Sequence, residues 1–405
     1  MNRGIFTIVF CLFVGYVFGQ ADGDYRSRLS GNWGQTNRWD VFYQGAWRPL
    51  NGLAAGPFQN VLPTSASGTI TIRATHNKRV ASSTNANQLV IENGAILRIV
   101  GSRILTIIDD LSVTPLIINV GGLVQVAGTL DLETQLSVTP CQVNGTLENL
   151  SLIRSSNASL LIFNAGSTYR HSNRSGGSVP TATWNIASTC LISGLSGGSP
   201  SAPQNLGQPF GDFTWNTPSM GNTNTFSLFG GLQTVNGNLT FISTGNTPRQ
   251  VRLDNGGPGY NLSVGGNFVM QGGLVTFTQS QTSATSVTIG GNLVISGGTL
   301  TLGNTNNAAV NVLLNGNFQK TGGLINRGTG SGLGTIRFIN PGGVQTYTNN
   351  VDITSAVNFS VETGSILNLD GNAKYLSGTG TFTLNVGGML HVGSTDPGGA
   401  IQAGT

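Results

Sequence analysis

Carboxyl groups are the residues that polysaccharide-cleaving enzymes use, because one protonates the leaving oxygen while another activates water. The chain has 15 acidic residues scattered over 405 positions, and Asp109-Asp110 in TIIDDLSV is its adjacent acidic pair. We interpret this pair as a turn or the end of a strand. The sequence therefore predicts no catalytic residue, although carboxylates from distant parts of the chain could converge in the fold.

Metal and cofactor sites need ligands at characteristic spacings, and the sequence does not show them. Cys141 and Cys190 follow the N-terminal segment and are 49 residues apart, which fits no zinc motif. His76 in RATHNKRV is isolated, as surface or corner histidines usually are. The Gly-x-Gly-x-x-Gly patterns arise from 60 glycines and lack a following helix, so they indicate no dinucleotide site. We predict no metal and no cofactor.

Aromatic side chains are concentrated between residues 25 and 53, where the sequence has Trp33, Trp39 and Trp47. One interpretation is an end cap, because the first unit of a repeat fold would otherwise expose its core and an unpaired strand edge. The alternative is a binding site in which these three tryptophan rings stack on sugars. Packing in a cap is the simpler interpretation, and both stay open at this point.

Charge excludes one class of partner. Charged residues make up 8% of the chain, the formal net charge is +4, and no run of basic residues is longer than Lys78-Arg79. A nucleic-acid-binding protein normally has a clustered basic patch, so the pI near 9.1 does not indicate such a partner. Asn, Thr, Ser and Gln must cover most of the surface instead.

The N-terminus predicts export. Arg3 precedes an apolar run from Ile5 to Phe18, which is typical of a signal peptide recognised by secretion machinery. A membrane-spanning helix needs about 20 apolar residues, and this run is shorter. We therefore expect a secreted or cell-surface protein whose mature chain does not span a membrane.

The elements that must position these residues are short strands. VTIGGNLVISGGTLTLG, residues 287 to 303, alternates apolar and polar residues and is interrupted twice by Gly-Gly. This predicts three short strands joined at corners where the backbone φ turns positive. Related segments place a glycine before an asparagine at intervals of 29, 25 and 25 residues: Gly237, Gly266, Gly291 and Gly316. Such spacing predicts a repeat architecture.

The predicted fold is all-β, a right-handed parallel β-helix (β-solenoid) with an N-terminal Trp-rich cap. One circuit of about 25 residues, called a coil below, would stack on the next at about 4.8 Å. A string of antiparallel sandwiches is the alternative, but it does not explain the repeated corner. The predicted inward side chains, with their stacking partners, are Ile289, Leu293, Ile295, Leu300, Leu302, Val264, Phe268, Leu314 and Phe318.

Two further expectations follow from the coils. The asparagine after each corner glycine should form a hydrogen bond with the asparagine one coil away. Asparagine also suits a corner because it tolerates the left-handed backbone conformation. Cys141 and Cys190 should lie two coils, or roughly 9 to 10 Å, apart, which exceeds the Cα separation of about 7 Å that a disulfide allows. We expect both thiols to be free and buried.

Composition divides the chain into five segments. We predict a signal peptide at 1–19, a cap region at 20–65, a first solenoid array at 66–195, a Pro/Ser-rich excursion or seam at 196–225, and a second array at 226–405. The strand pattern still runs at Leu384 to Val392. We therefore expect the working protein to continue beyond residue 405, with the second array truncated here.

The opening Tyr25-Arg26-Ser27 with its later tryptophans, the segment GTITIRATHNKRV (68 to 80) and the Gly-Asn coils resemble the large secreted or surface β-solenoid proteins of Bacteroidetes that the type IX pathway exports. The resemblance implies an adhesin-like protein; the C-terminal sorting domain normal for that family is missing here.

We therefore expect a non-enzymatic extracellular structural or adhesion solenoid that presents a polar Thr/Asn/Ser surface to glycans or cell-surface proteins. A polysaccharide-degrading β-helix lyase or hydrolase and a glycan-binding module centred on the Trp-rich cap are the alternatives.

Overall fold

The computed structural model describes residues 19–109, 113–134, 138–196, 200–220, 225–245, 248–256, 259–279, 283–303, 308–369, 376–393 and 401. Over this part of the chain the protein is a parallel β-solenoid with 44% strand and 3% helix, as the repeat spacing predicts. Each coil passes through three faces in the same order. Nearly all of the predicted signal peptide lies outside the described residues.

Face 1 contains the strands that begin each coil. They form a 9-stranded sheet, which also includes two cap strands, and then a 7-stranded sheet. The strands of the first sheet are β1 (Tyr25–Ser27), β3 (Trp39–Tyr43), β4 (Ala46–Pro49), β5 (Ile70–Ile72), β8 (Leu89–Ile91), β11 (Leu116–Ile118), β14 (Cys141–Val143), β17 (Leu161–Phe163) and β19 (Thr183–Trp184). The strands of the second are β23 (Thr234–Val235), β26 (Asn261–Val264), β29 (Thr285–Ile289), β32 (Val310–Leu314), β35 (Gly334–Phe338), β37 (Asn358–Val361) and β39 (Phe382–Leu384).

Face 2 is one 15-stranded sheet that runs the length of the rod. Its strands, in order, are β2 (Gly31–Asn32), β6 (Asn77–Val80), β9 (Ile96–Ile99), β12 (Leu123–Val126), β15 (Thr146–Asn149), β18 (Thr168–His171), β20 (Thr189–Ile192), β21 (Asp212–Asn216), β24 (Leu239–Ser243), β27 (Phe268–Met270), β30 (Leu293–Ile295), β33 (Phe318–Lys320), β36 (Val344–Asn349), β38 (Ile366–Asn368) and β40 (Met389–His391).

Face 3 is built from a 4-stranded and a 5-stranded sheet. The first contains β7 (Thr84–Ala86), β10 (Ile104–Ile107), β13 (Thr129–Asp131) and β16 (Leu152–Arg154). The second contains β22 (Phe226–Ser227), β25 (Val251–Asp254), β28 (Leu274–Thr278), β31 (Thr299–Gly303) and β34 (Leu324–Asn326). Single 3-10 turns in the described chain lie at Thr36–Arg38, Leu50–Gly52 and Ala158–Leu160.

Faces 1 and 3 are interrupted near the proline-rich segment, whereas face 2 is not. Prolines at 200, 203 and 209 lack the N–H that a sheet ladder requires. The strand β21 nevertheless pairs in parallel with β20 and with β24. The segment 196–225 therefore supplies a strand to a sheet that continues through it. Stacked rings fill the interior here, with Phe163 and Trp184 centroids 4.3 Å apart and Trp184 and Phe210 centroids 5.0 Å apart.

The predicted inward ladder is confirmed. Leu293 is the Cα partner of Phe268 in the preceding coil and of Phe318 in the following one, and all three side chains are fully buried. Ile289 pairs likewise with Val264 and Leu314 in the neighbouring coils. The remaining predicted inward residues are also buried: Ile295, Leu300 and Leu302.

The corner glycines serve two different purposes. At the second corner, Gly298 has a φ of +72°, as predicted, and glycine adopts that conformation without strain. The prediction is wrong at the first corner, where the glycines do not have positive φ. There a Cβ on Gly290 would lie 2.4 Å from the carbonyl oxygen of Gly265 in the preceding coil. Glycine is needed at that corner because two backbones pass too close for a side chain.

The asparagine ladder is confirmed. The donor in each bond is a backbone N–H, which the sequence does not specify. The backbone N–H of Asn292 donates to Oδ1 of Asn267 at 2.7 Å, and the N–H of Asn317 donates to Oδ1 of Asn292 at 2.7 Å. None of these asparagines has positive φ, so the left-handed conformation is not the reason for them. Asp212 begins the ladder, since its Oδ1 accepts from the N–H of Asn238.

Both mature cysteines are free and fully buried, as predicted. Cys141 lies on face 1 and pairs with Leu161, whereas Cys190 lies on face 2 and pairs with Tyr169. Burial raises the pKa of both thiols, so they stay protonated at neutral pH. Each cysteine acts as a small core residue.

Substituting Asp for Leu293 should unfold several coils, because the change places a carboxylate at a fully buried position between two phenylalanines. We expect a loss of at least about 3 kcal/mol in the free energy of unfolding. Val294→Asp is the matched control, since Val294 is the adjacent, half-exposed residue of the same strand. Thermal unfolding followed by circular dichroism checks this; equal losses in the two variants would contradict the inward assignment.

Replacing Asn292 by Ala removes the acceptor for the N–H of Asn317 and should lower stability by about 1 kcal/mol. Asn292→Asp keeps an oxygen at that position, as Asp212 does naturally, and should retain most of the stability. Hydrogen exchange at the Asn317 amide gives a local measurement. Unchanged protection in the alanine variant would show that the ladder bond contributes nothing.

Candidate functional site

The Trp-rich cap buries two of its three tryptophans. Trp33 is 3% exposed and Trp39 is fully buried, with their rings edge to face at 5.0 Å. The indole N–H of Trp33 donates to the carbonyl of Pro63 at 3.0 Å, and that of Trp39 donates to the carbonyl of Trp33 at 2.7 Å. These contacts leave neither ring free to stack on a sugar.

Trp47 is the half-buried member of the three. The guanidinium carbon of Arg26 lies 4.4 Å from its ring centroid, and the Phe42 ring contacts it edge to face at 5.4 Å. Its strand, β4, is the outermost strand of the cap, beyond β3 and β1. The structure therefore does not bring Trp33, Trp39 and Trp47 together as one exposed aromatic platform.

A lysine beneath the cap was not singled out by sequence analysis. Lys78 points inward from β6 and is fully buried. Its ammonium lies 4.1 Å from the Trp39 ring centroid and donates to the carbonyl of Arg38 at 2.7 Å. Burial lowers the pKa of Lys78 to about 7, whereas the ring face and the carbonyl both favour its protonated form. This residue closes the N-terminal end of the core.

Asp109, the described member of the Asp109-Asp110 pair, has a structural role. Oδ2 of Asp109 accepts hydrogen bonds from the backbone N–H groups of Val138 at 3.1 Å and Thr139 at 2.7 Å. These bonds tie one coil to the loop of the next. Asp110 lies outside the described residues.

Several other carboxylates form ion pairs with arginines of neighbouring coils or cap strands. The N···O distances run from 2.8 Å to 3.7 Å for the closest contact of each pair, and in each the carboxylate is more buried than the arginine. The pairs are Arg26–Asp40, Arg154–Asp131, Arg170–Glu148 and Arg337–Glu362. They join strands laterally and do not form an acid and base across an open groove.

A serine and a histidine lie within hydrogen-bonding distance near the cap. Ser27 Oγ is 2.8 Å from His76 Nδ1, and the same Oγ accepts from the backbone N–H of Arg73. Ser27 is fully buried, so a substrate cannot reach its hydroxyl. The pair therefore fixes a corner of the first coils and is not a nucleophile with its base.

A buried polar chain crosses the core at the end of β18. Asn149 Nδ2 donates to the Tyr169 hydroxyl at 3.0 Å, and that hydroxyl is 2.9 Å from His171 Nδ1. His171 Nε2 is 3.0 Å from the carbonyl of Gly176. Desolvation lowers the pKa of His171 to about 4, because the imidazolium would lie in a core closed to water.

A cleft lies at the corner between faces 3 and 1. It encloses about 350 Å³, and we call it the corner cleft. Asp254 at the end of β25 and Tyr260 just before β26 are buried in its wall, while Phe229 is 75% exposed at its rim. Desolvation raises the pKa of Asp254. The cleft is also lined by Gly230, Gln233 and Asn261.

Sequence analysis did not identify the corner cleft. Its described lining comes from residues 229, 230 and 233, which lie between β22 and β23, and from residues 254, 256 and 259–261 around the turn from β25 to β26. The Gly-Asn turn lies at another corner, between faces 1 and 2, so its spacing gives no signal for this cleft. Sequence alone does not show that the two segments meet.

Comparisons with family models, curated proteins and solved structures found no match. Within the described ranges, no three His, Cys, Asp or Glu side chains cluster in a way that could hold a metal ion. The same part of the chain contains no helix of the length and hydropathy that a membrane span requires.

The buried His171 predicts an acid-sensitive core. Its pKa falls from 6.5 in the unfolded chain to about 4 in the folded protein, so below pH 6.5 the unfolded state binds a proton that the folded state does not. Stability should therefore fall by about 3 kcal/mol between pH 6.5 and 4 from this group. Urea unfolding of the wild type and His171→Gln at pH 7 and 5 tests this. The glutamine variant should lose less on acidification, and parallel losses would contradict the assignment.

Proposed function

We propose that the protein is an extracellular structural or adhesion rod that contacts glycans through one polar side. This side, the ladder face, consists of outward residues of the second sheet of face 1. One row of it follows the parallel register strand by strand: Asn261, Ser286, Asn311, Thr335 and Asn358. Neutral hydroxyl and amide groups thus repeat at about 4.8 Å along the rod. This regular row is the observation that carries the proposal.

A second row on the same face is mixed. Ser263 and Thr288 continue the polar pattern, while Leu313 and Arg337 follow in the next two coils. Arg337 is held by Glu362 at 2.8 Å, so its charge is partly neutralised. Apolar and hydroxyl groups side by side suit the alternating C–H and O–H surface of a sugar chain.

Regular spacing favours many weak contacts over one strong one. A polymer that lies along the ladder face can use several coils at once, and each added contact is intramolecular once the first is made. Such binding needs little charge, which agrees with a chain of 8% charged residues. It also needs no reaction centre.

The predicted export is in keeping with the same proposal. The N-terminal sequence has the basic residue and short apolar run of a signal peptide, and a secreted or cell-surface location would place the ladder face where glycans are found. The resemblance to Bacteroidetes surface solenoids is in keeping with this, and secretion machinery would then be a transient partner.

Blocking the ladder face should abolish glycan binding. We expect the double variant Ser286→Arg, Asn311→Arg to lose at least tenfold in affinity for the polysaccharides that the wild type retains in a pull-down panel. The matched control is Thr240→Arg, Gln319→Arg, which places the same side chains on outward positions of face 2. Equal loss in both variants, or wild-type protein that retains no glycan, would contradict the proposal. Release of reducing sugar would favour the polysaccharide-degrading alternative.

A further inference from the structure

Phe229 combines high exposure with a backbone conformation that does not favour it. It is 75% exposed and has a φ of +49°, a left-handed conformation that bulky side chains avoid. Both the exposure of the ring and the left-handed backbone make phenylalanine unfavourable at this position. An exposed ring gains little packing energy that could offset these costs, so it has no evident role in stability.

The ring stands between two depressions. On one side is the corner cleft, and on the other is a hollow lined by Pro203, Asn205 and Leu228. Gly230 follows directly with a φ of +71°, and a Cβ there would lie 3.4 Å from Asp254 Oδ1. A Cβ at Gly230 would be in ordinary contact with Asp254 and Tyr260, so glycine leaves this part of the cleft open.

Asp254 is the second group of interest in the same cleft. The residue is 5% exposed, and its carboxyl group accepts backbone hydrogen bonds from Asn255 and Gly256, whereas its Oδ2 has no hydrogen-bond partner. Arginines pair with other carboxylates of the rod, but no ion pair engages Asp254 among the residues described. A buried acceptor without a donor normally lowers stability. Asp254 lines the cleft, so a ligand hydroxyl held there could donate to the edge of the carboxyl group that the cleft reaches.

The corner cleft continues onto the ladder face. Gln233 and Asn261 line both the cleft and a shallow depression that extends over Ser263, Ser286 and Thr288. Both amides are exposed, and an amide offers a donor and an acceptor at once. A chain bound along the ladder face could therefore place one unit in the cleft.

We propose that the corner cleft is a subsite for one uncharged sugar ring, which stacks on Phe229 and donates hydroxyl hydrogen bonds to Asp254. This inference rests on the proposed function, because the rest of the glycan would lie on the ladder face. A sugar ring suits the site better than an ammonium group does. The ring presents C–H groups to the aromatic face, and its hydroxyls can both donate to the carboxylate and exchange bonds with the amides, whereas an ammonium group has no acceptor for the amide N–H.

Two variants test the subsite by calorimetry with cellohexaose, laminarihexaose and mannohexaose as neutral probes and chitosan hexamer as the amine probe. Phe229→Gly removes the ring and suits the left-handed backbone, and Asp254→Asn removes the charge while keeping the shape. We expect each to lose at least tenfold in affinity for the neutral hexasaccharide that the wild type binds, with an unchanged or higher melting temperature. Ile186→Ala, at another exposed apolar position, is the control and should bind as the wild type does.

The outcomes separate the subsite from the ladder face. If the ladder-face double variant loses binding while Phe229→Gly and Asp254→Asn keep it, the subsite is overturned and the proposed function stands. If the cleft variants lose binding and the ladder variant keeps it, the subsite stands without the ladder. Binding of chitosan hexamer alone, no binding of any probe by the wild type, or a melting temperature lowered by several degrees in both cleft variants would overturn the subsite.

Discussion

Stacking of one coil on the next at about 4.8 Å is the constraint on which the rest of this structure depends. Parallel register places each inward side chain on its counterpart, so Leu293 must fit between Phe268 and Phe318. The same spacing leaves no room for a Cβ where backbones cross, which explains Gly290. It also brings the side-chain oxygen of one corner asparagine to the N–H of the next, so that the corner is bonded along the rod axis as the strands are.

The constraint also determines where charge is found. A charge that points inward needs partners within the rod. The Lys78 ammonium contacts the face of the Trp39 ring and donates to the carbonyl of Arg38 at the cap. Outward carboxylates such as Glu148 are bound by arginines of the neighbouring strand. Little net charge remains for the surface, and hydroxyl and amide rows take its place. The glycan contact that we propose relies on these neutral rows.

The corner cleft lies where the repeat is least regular. Proline-rich sequence interrupts faces 1 and 3 shortly before it, and the corner from face 3 to face 1 does not have the Gly-Asn turn that joins faces 1 and 2. Side chains at such corners are not required to stack, so Phe229 and Asp254 can take positions that stability alone would not select. The regular coils give the site its rigidity, and the irregular corners give it its shape.

The sequence by itself determined the repeat, the inward residues of the coils from 264 to 318, the asparagine ladder and the free cysteines, because these follow from period-two alternation and fixed spacing along the chain. It also located the cap, although not which tryptophans would be buried. Only the tertiary structure decided that glycine is needed at Gly290 because two backbones pass closely, and at Gly298 because φ is positive. It also decided that Ser27 contacts His76 and is buried, and that Phe229 and Asp254 line the same cleft. These facts depend on which residues of different coils come into contact, and the corner segments, unlike the strands, have no alternating period from which that contact could be predicted.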